Sequence, residues 1–98
     1  MSNKSYQSHV VYNCKYHIVV IPKYRKNILT GKVKIFIRDE IKKICSWLSV
    51  EIIEGHVSND HIHLCLSIPP KYSVAKVIGT IKGKTAIRVF NKFSDLRR

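Results

Sequence analysis

The stretch VEIIEGHVSNDHIHLCLSIP, residues 50–69, decides the fold of this chain. Its first part, residues 50–57, is a strand candidate, and the triplet Ser58, Asn59 and Asp60 is a turn signal before a second run, HIHLCLSI. Two strands joined by so short a turn are expected to pair antiparallel. The stretch therefore predicts a β-hairpin near the middle of the chain.

One further strand and two amphipathic helices surround this hairpin in the sequence. Residues 9–21 are rich in Val, Ile and Tyr, and Pro22 cannot donate to a sheet ladder, so a long first strand is expected to end there. Between residues 31 and 48 apolar side chains recur every three or four positions, which predicts a helix with Thr30 as its N-cap. After two prolines, Ser73 can cap a second helix with an approximate apolar stripe.

The order strand, helix, strand, strand, helix is a ferredoxin-like α+β pattern that lacks its last strand. We expect an antiparallel sheet with both helices on one face, which leaves the other face available to a ligand. A length of 98 residues with 45% apolar content suits one domain over residues 1–98. Gly79 and Gly83 lie one turn apart in the second helix, and a close approach by a strand or by DNA is one reason for them.

The charge of the chain predicts a polyanionic partner. Eighteen Lys and Arg against six Asp and Glu give a formal net charge of +12, spread along most of the sequence. This excess favours nucleic acid, although some small intracellular proteins are simply basic.

Because no apolar run reaches the roughly 20 residues of a membrane-spanning helix, and the start MSNKSYQSH has no signal-peptide core, we expect a cytoplasmic protein without a membrane partner. The three cysteines form no Cys-x-x-Cys pair and are interpreted as reduced, mostly buried thiols.

His61 and His63 alternate with apolar residues in the second strand of the hairpin. The alternation puts them on one strand face with Cys65 and Ser67, while the aliphatic residues between them face the core. Same-face neighbours lie about 7 Å apart, so two imidazoles can hold one divalent ion between them. The alternative is that both histidines are polar residues that face water and bind no ion. A structural zinc site is another, although strand spacing suits a closed tetrahedron poorly; its ligands would be His56, His61, His63 and Cys65.

Asp60 precedes the first histidine, where its carboxylate either orients the imidazole of His61 or serves the turn alone. With six carboxylates in the whole sequence, a carboxylate-rich two-metal nuclease site is not indicated. The absence of a Gly-rich phosphate loop argues against nucleotide hydrolysis. Two basic clusters are candidates for phosphate contact, with one tyrosine able to stack on a base: Lys23, Tyr24, Arg25 and Lys26, and then Lys82, Lys84 and Arg88.

Two motifs carry a resemblance to a known family. The segment DHIHLCLSIPPKYSVAKVIGTIKGKTA, residues 60–86, resembles the signature region of the single-tyrosine His-hydrophobic-His (HUH) transposases of prokaryotic insertion sequences. Upstream, YHIVVIPKYRKNIL, residues 16–29, is similar to the first strand and basic loop of that family. The resemblance covers nearly the whole chain in order, which makes it far more specific than a single His-x-His motif.

The resemblance implies a ferredoxin-like, commonly dimeric protein that recognises single-stranded DNA hairpins at element ends and cuts and rejoins the strand. It also implies that His61 and His63 bind Mg or Mn, which polarises the scissile phosphate. The family nucleophile is a tyrosine on a helix beyond the region that ends near residue 98, with a further metal ligand about one turn later. None of the five tyrosines matches that position. The resemblance therefore predicts that the terminal helix is missing and that this chain alone does not cut DNA.

Two other functions stay open on the sequence. The chain is either a DNA-binding regulator or dimer partner of a complete transposase, rescued in trans or poisoning the dimer, or an RNA-binding module of ferredoxin-like shape. Against the RNA module, the central strands carry histidines and aliphatic residues where such modules place stacking aromatics. Detection of a bound metal would distinguish the RNA-binding module from both transposase hypotheses, the shortened transposase and the regulator or dimer partner.

Overall fold

The computed structural model describes residues 15–22 and 31–94. In these residues the elements follow the predicted order, and their bounds are β1 (Lys15–Val20), α1 (Gly31–Trp47), β2 (Glu51–Val57), β3 (Ile62–Ser67) and α2 (Val74–Lys92). The α+β class is therefore confirmed. The proposed start of the first strand and the proposed cap at Thr30 lie outside the described residues.

β3 is the central strand of a three-stranded sheet with the order β1-β3-β2, and both pairings are antiparallel. The predicted hairpin is confirmed, and its turn is closed by Ser58, whose backbone N–H donates to the carbonyl oxygen of His61 at 2.8 Å. Along β2 the register shifts between Ile52 and Glu54, so Ile53 forms a β-bulge. The strand order is that of the ferredoxin-like pattern, because α1 carries the chain past the position that β3 later fills.

The hydrophobic core lies between the two helices and one face of the sheet. Leu64 and Leu66 of β3 are 3% and 0% exposed, as the alternation predicted. The helices add two apolar stripes to the same core: Ile37, Ile41 and Ile44 from α1, and Val77, Ile81 and Val89 from α2. Both helices therefore cover one face of the sheet, and the residues that alternate with the leucines lie on the other.

The helices are also joined by an ion pair that the periodicity did not reveal. Glu40 of α1 is 4% exposed, and Arg88 of α2 donates from Nη1 to its Oε1 at 2.6 Å. Lys43 lies 3.3 Å from the other carboxylate oxygen. The hydrogen bond from Arg88 is the main cause that holds the pKa of Glu40 below its usual value. Because an unpaired buried carboxylate is costly, the cations explain how Glu40 keeps its charge in the core.

The start of α2 is capped as the sequence predicts. Ser73 has an extended backbone, and its hydroxyl accepts a hydrogen bond from the backbone N–H of Lys76 at 3.0 Å. This bond satisfies a first-turn donor that the helix itself cannot pair. Neither helix in the described residues is long and apolar enough to cross a membrane.

The cysteines of the described residues are free and buried, as expected. Burial raises the pKa of the Cys45 thiol to about 11, so this side chain stays protonated and unreactive at neutral pH. Cys65 is 4% exposed. Cys14 lies outside the described residues.

Gly79 and Gly83 of α2 have free space where a side chain would be. Apart from the adjacent residues and the local backbone of the helix, no atom of the described residues lies within 4 Å of a Cβ built at either position. A close approach by one of the described strands is therefore not their explanation.

Replacing Gly79 with alanine is expected to raise the free energy of unfolding by about 1 kcal/mol, because glycine costs a helix interior more backbone entropy. Urea unfolding followed by circular dichroism measures this change. If DNA approaches the helix here, the variant gains stability and loses DNA affinity; a loss of stability would contradict the prediction.

Candidate metal centre and nucleic-acid surface

The central strand β3 positions the two candidate metal ligands. His61 lies immediately before β3, and His63 is its second residue. The residues beside them, Ile62 and Leu64, are buried in the core, so the two-residue spacing places both histidines on the opposite side. The side chain of His61 is 41% exposed, and His63 is half-buried. Both predicted ligands therefore lie outside the hydrophobic core.

Asp60 contacts the first of these histidines directly. Its Oδ1 lies 3.0 Å from Nδ1 of His61, and this hydrogen bond is the main cause that holds the pKa of the Asp60 carboxyl below its usual value. The contact favours the orienting role of Asp60 over a role in the turn alone. Because the carboxylate engages Nδ1, Nε2 is the ring nitrogen left for an ion. That nitrogen lies 3.5 Å from the hydroxyl oxygen of Ser58.

Further histidines surround His63 on the open face of the sheet. His56 of β2 is its partner across the β2–β3 ladder. The ring of His17 in β1 stacks on that of His63, with the centroids 5.8 Å apart and an interplanar angle of 21°. Nε2 of His17 lies 3.8 Å from Sγ of Cys65. Four imidazoles therefore belong to this side of the described structure: His17, His56, His61 and His63.

Cys65 and Ser67 share the strand face of the histidines, but they are only 4% and 3% exposed. The alternation predicted their side of the sheet correctly and gave no indication of this burial. In the ladder, Cys65 lies between His17 and Glu54. Short side chains on a central strand are covered by the longer side chains of both neighbouring strands. The open part of this face therefore lies near the histidine end of β3.

Across residues 15–22 and 31–94, no three His, Cys, Asp or Glu side chains come together as a group that could hold a metal ion. The described residues therefore do not form a closed zinc site, and Cys65 contacts His17 instead of His61. Two imidazoles suit an open centre, in which water and phosphate oxygens fill the other coordination positions. The donor set of His61 and His63 fits such a centre, and their role as ligands stays a prediction.

The predicted DNA contacts separate into three groups. Lys23, Tyr24, Arg25 and Lys26 lie outside the described residues. On α2, Lys84 contacts Trp47 and Arg88 contacts Glu40, both residues of α1. Lys82 instead lines an apolar cavity of about 490 Å³ on another side of the helix. Arg88 is bonded to Glu40, yet its side chain is 47% exposed. The structure therefore brings Lys84 and Arg88 together and places Lys82 apart from them.

Trp47 is a candidate nucleic-acid contact that the sequence pattern alone does not predict. It is 67% exposed at the end of α1, and Nζ of Lys84 lies 5.0 Å from its ring centroid. An exposed aromatic ring beside a cation is typical of base-stacking surfaces. The sequence does indicate that this ring is exposed, because Trp47 falls outside the apolar stripe of its helix.

The comparisons with known proteins agree with the geometry of the fold. The family described as "Transposase IS200 like" matches residues 10–98. The transposase for insertion sequence element IS200 of Salmonella typhimurium strain LT2 is 39% identical over 97 residues, which are 99% of this chain and 64% of that protein. The ISDra2 transposase TnpA of Deinococcus radiodurans is 32% identical over 87 residues, which are 89% of this chain and 62% of that protein.

A solved structure has the same fold. The crystal structure of a Deinococcus radiodurans R1 protein described as a transposase superposes with a TM-score of 0.81 and 27% sequence identity, covering 87% of this chain and 65% of that one. The present chain thus spans a little under two thirds of the length of the relatives it matches. Since the family match extends over residues 10–98, the chain belongs to the IS200-like transposase family.

Proposed function

We propose that these 98 residues form one HUH-type domain that takes part in DNA transposition by binding single-stranded DNA hairpins. The observation that carries the proposal is the Asp60–His61 contact at 3.0 Å beside His63, on the open side of the sheet. The membership of the chain in a transposase family and its net charge of +12 support a DNA partner.

A divalent cation is part of this proposal. His61 and His63 would hold it, and when bound it would withdraw charge from the phosphate oxygens of the DNA. Asp60 would keep the His61 ring in one orientation, with Nε2 directed away from the carboxylate. Of the two expected ions, Mn fits an imidazole pair better than Mg, because Mg demands oxygen ligands and retains its water.

The chain by itself is proposed to bind hairpins without cutting them. Of the tyrosines in the described part of the chain, Tyr16 is the ladder partner of Leu66 and packs against the core. Tyr72 also packs against the core. Neither has the position of a nucleophile beside the histidines. Tyr6, Tyr12 and Tyr24 lie outside the described residues, and the resemblance gives none of them that role.

Hairpin binding is expected to weaken steeply as salt is added. Each phosphate contact with a single strand contributes about −0.7 to the slope of log K against log salt, so about four contacts predict a 50-fold loss between 50 and 200 mM. Filter binding of a labelled hairpin measures this slope, with a fully paired duplex of the same sequence as the control. A hairpin affinity that does not change with salt concentration, or an equal affinity for the duplex, would overturn the proposal.

Pairing with a second subunit is also proposed, either as a homodimer or with a complete transposase. Val19 is 58% and Ile21 is 71% exposed, and Val19 is the ladder partner of His63. Exposed aliphatic side chains beside the candidate centre favour coverage by another element. Mixing this chain with a complete copy whose histidines are mutated tests rescue in trans. Restored cutting supports it, and no cutting rejects it.

A further inference from the structure

A groove between α1 and β2 carries positive charge that the histidine site does not use. Its volume is about 380 Å³. Three cations of α1, namely Lys34, Arg38 and Lys42, line its helical side. The sheet side is largely apolar and is formed by Ile52, Gly55, His56, Val57 and Leu64. We call this feature the α1–β2 groove.

The three cations form one line along the helix. They are spaced four residues apart, and each step of four residues advances about 6 Å along the helix axis. Among the described residues, neither Lys34 nor Lys42 has a carboxylate partner. Nε of Arg38 lies 3.5 Å from Oδ1 of Asp39, but both side chains are more than half exposed, so this pair is weak. All three charges are therefore available to a ligand.

Gly55 keeps the sheet side of the groove open. It faces the helices as the ladder partner of Leu64. A Cβ built at this position would lie 3.4 Å from side-chain carbons of Ile52 and Leu64, so any larger side chain would extend over this apolar surface. Glu51 and Glu54 of the same strand do not line the groove; they are the ladder partners of Ser67 and Cys65 on the opposite face. The groove therefore combines an apolar floor with a cationic wall.

We infer that the α1–β2 groove binds the backbone of single-stranded DNA, with Lys34, Arg38 and Lys42 each neutralising one phosphate. A row of unpaired cations beside an apolar floor suits a strand whose phosphates and sugars bind side by side. His56 lies at the margin of the groove and is the ladder partner of His63. Because Gly55 and Leu64 form the next ladder pair, the groove and the candidate metal centre lie on opposite faces of the same two strands. The inference rests on the proposed binding of single-stranded DNA.

The test replaces the three cations together, in the variant Lys34→Gln/Arg38→Gln/Lys42→Gln. Binding of an unstructured thymidine oligonucleotide, and of a hairpin that carries the same sequence as a tail, is measured across a salt series. Loss of three phosphate contacts makes the slope of log K against log salt shallower by about 2 and lowers affinity up to about 100-fold at 0.1 M salt. Lys34→Arg/Lys42→Arg keeps the charges and is expected to bind like the unmodified chain.

The control variant Lys71→Gln/Lys76→Gln/Lys92→Gln removes the same charge from exposed positions of the chain outside the groove. Its slope is expected to change by less than half as much. An equal change in both triple variants would show a net-charge effect and overturn the inference, as would an unchanged slope in the groove variant. If the unmodified chain binds neither oligonucleotide, the proposed function itself fails. If the unmodified chain binds and the groove variant binds equally well, only the groove inference is rejected.

Discussion

Replacing both His61 and His63 with alanine is expected to abolish manganese binding by the chain. The two imidazoles are the protein donors proposed for the ion, and water and phosphate oxygens alone do not hold it on the sheet. Titration of Mn²⁺ followed by the electron paramagnetic resonance signal of the free ion measures this loss. The measurement is made with and without hairpin DNA, because phosphate oxygens are expected to complete the coordination sphere.

Two single variants sharpen this prediction. Asp60→Asn retains a side chain that suits the turn and loses the charge beside His61, so manganese affinity is expected to fall about 10- to 100-fold. His56→Ala is the matched control, because His56 lies next to His63 in the ladder and is not a proposed ligand. Unchanged manganese binding in the double variant, or an equal loss in His56→Ala, would contradict the assignment of the ligands.

The second large effect is expected from Arg88→Met, which should lower the free energy of unfolding by about 3 kcal/mol at neutral pH. The substitution leaves Glu40 buried with only Lys43, whose side chain is 69% exposed. A loss of this size is a large share of the stability of a small domain. Urea unfolding measures it, and Lys43→Met is the control, with an expected cost of at most about 1 kcal/mol.

The effect of Arg88→Met is expected to depend on pH. In the unmodified chain the pKa of Glu40 is lowered from 4.5, so its stabilising contribution is present above that value and is lost as the pH falls through the lowered pKa. Without Arg88, the largest cause that lowers the pKa of this carboxyl is lost, and Lys43 alone opposes the raising effect of burial. The stability difference between the two chains should therefore shrink as the pH falls below 4.5. A difference that stays constant with pH would exclude Glu40 as its source.

This result bears on the predicted DNA contacts as well. The sequence predicts Arg88 as a phosphate contact, and the structure gives it a bond to Glu40. Reduced DNA affinity in Arg88→Met would therefore reflect both roles. The stability measurement separates them, because affinity is compared only under conditions in which the variant is folded.

The regular elements could be predicted from the sequence because they depend on local patterns. Alternation in residues 61–68 defined β3 and its inward leucines, and the Ser58–Asp60 triplet fixed the hairpin. The serine cap at Ser73 also follows from neighbouring residues alone. In each case the deciding interactions lie within a few positions along the chain.

What the sequence did not reveal depends on distant residues. Arg88 and Glu40 are 48 positions apart, and nothing in the pattern of either helix indicates that they meet. The separation of Lys82 from Lys84 and Arg88 follows from helical spacing, because residues two and six positions later lie about 200° and 240° round the helix. Which of these cations faces α1 depends on how α2 packs. The α1–β2 groove likewise exists only once the helix lies beside the sheet edge. Periodicity identifies the buried face of a helix, and packing decides what its flanks contact.

The bulge at Ile53 also affects whether a strand of another chain can pair with the outer edge of β2. Because of the extra residue, Glu51 and Glu54 both pair with residues on the same face of β3, although they are three positions apart. Two carboxylates therefore flank an irregular ladder at the margin of the described sheet, and such irregularity with like charges discourages the addition of a foreign strand. Intermolecular strand pairing, and the aggregation that it would start, is thus disfavoured along β2.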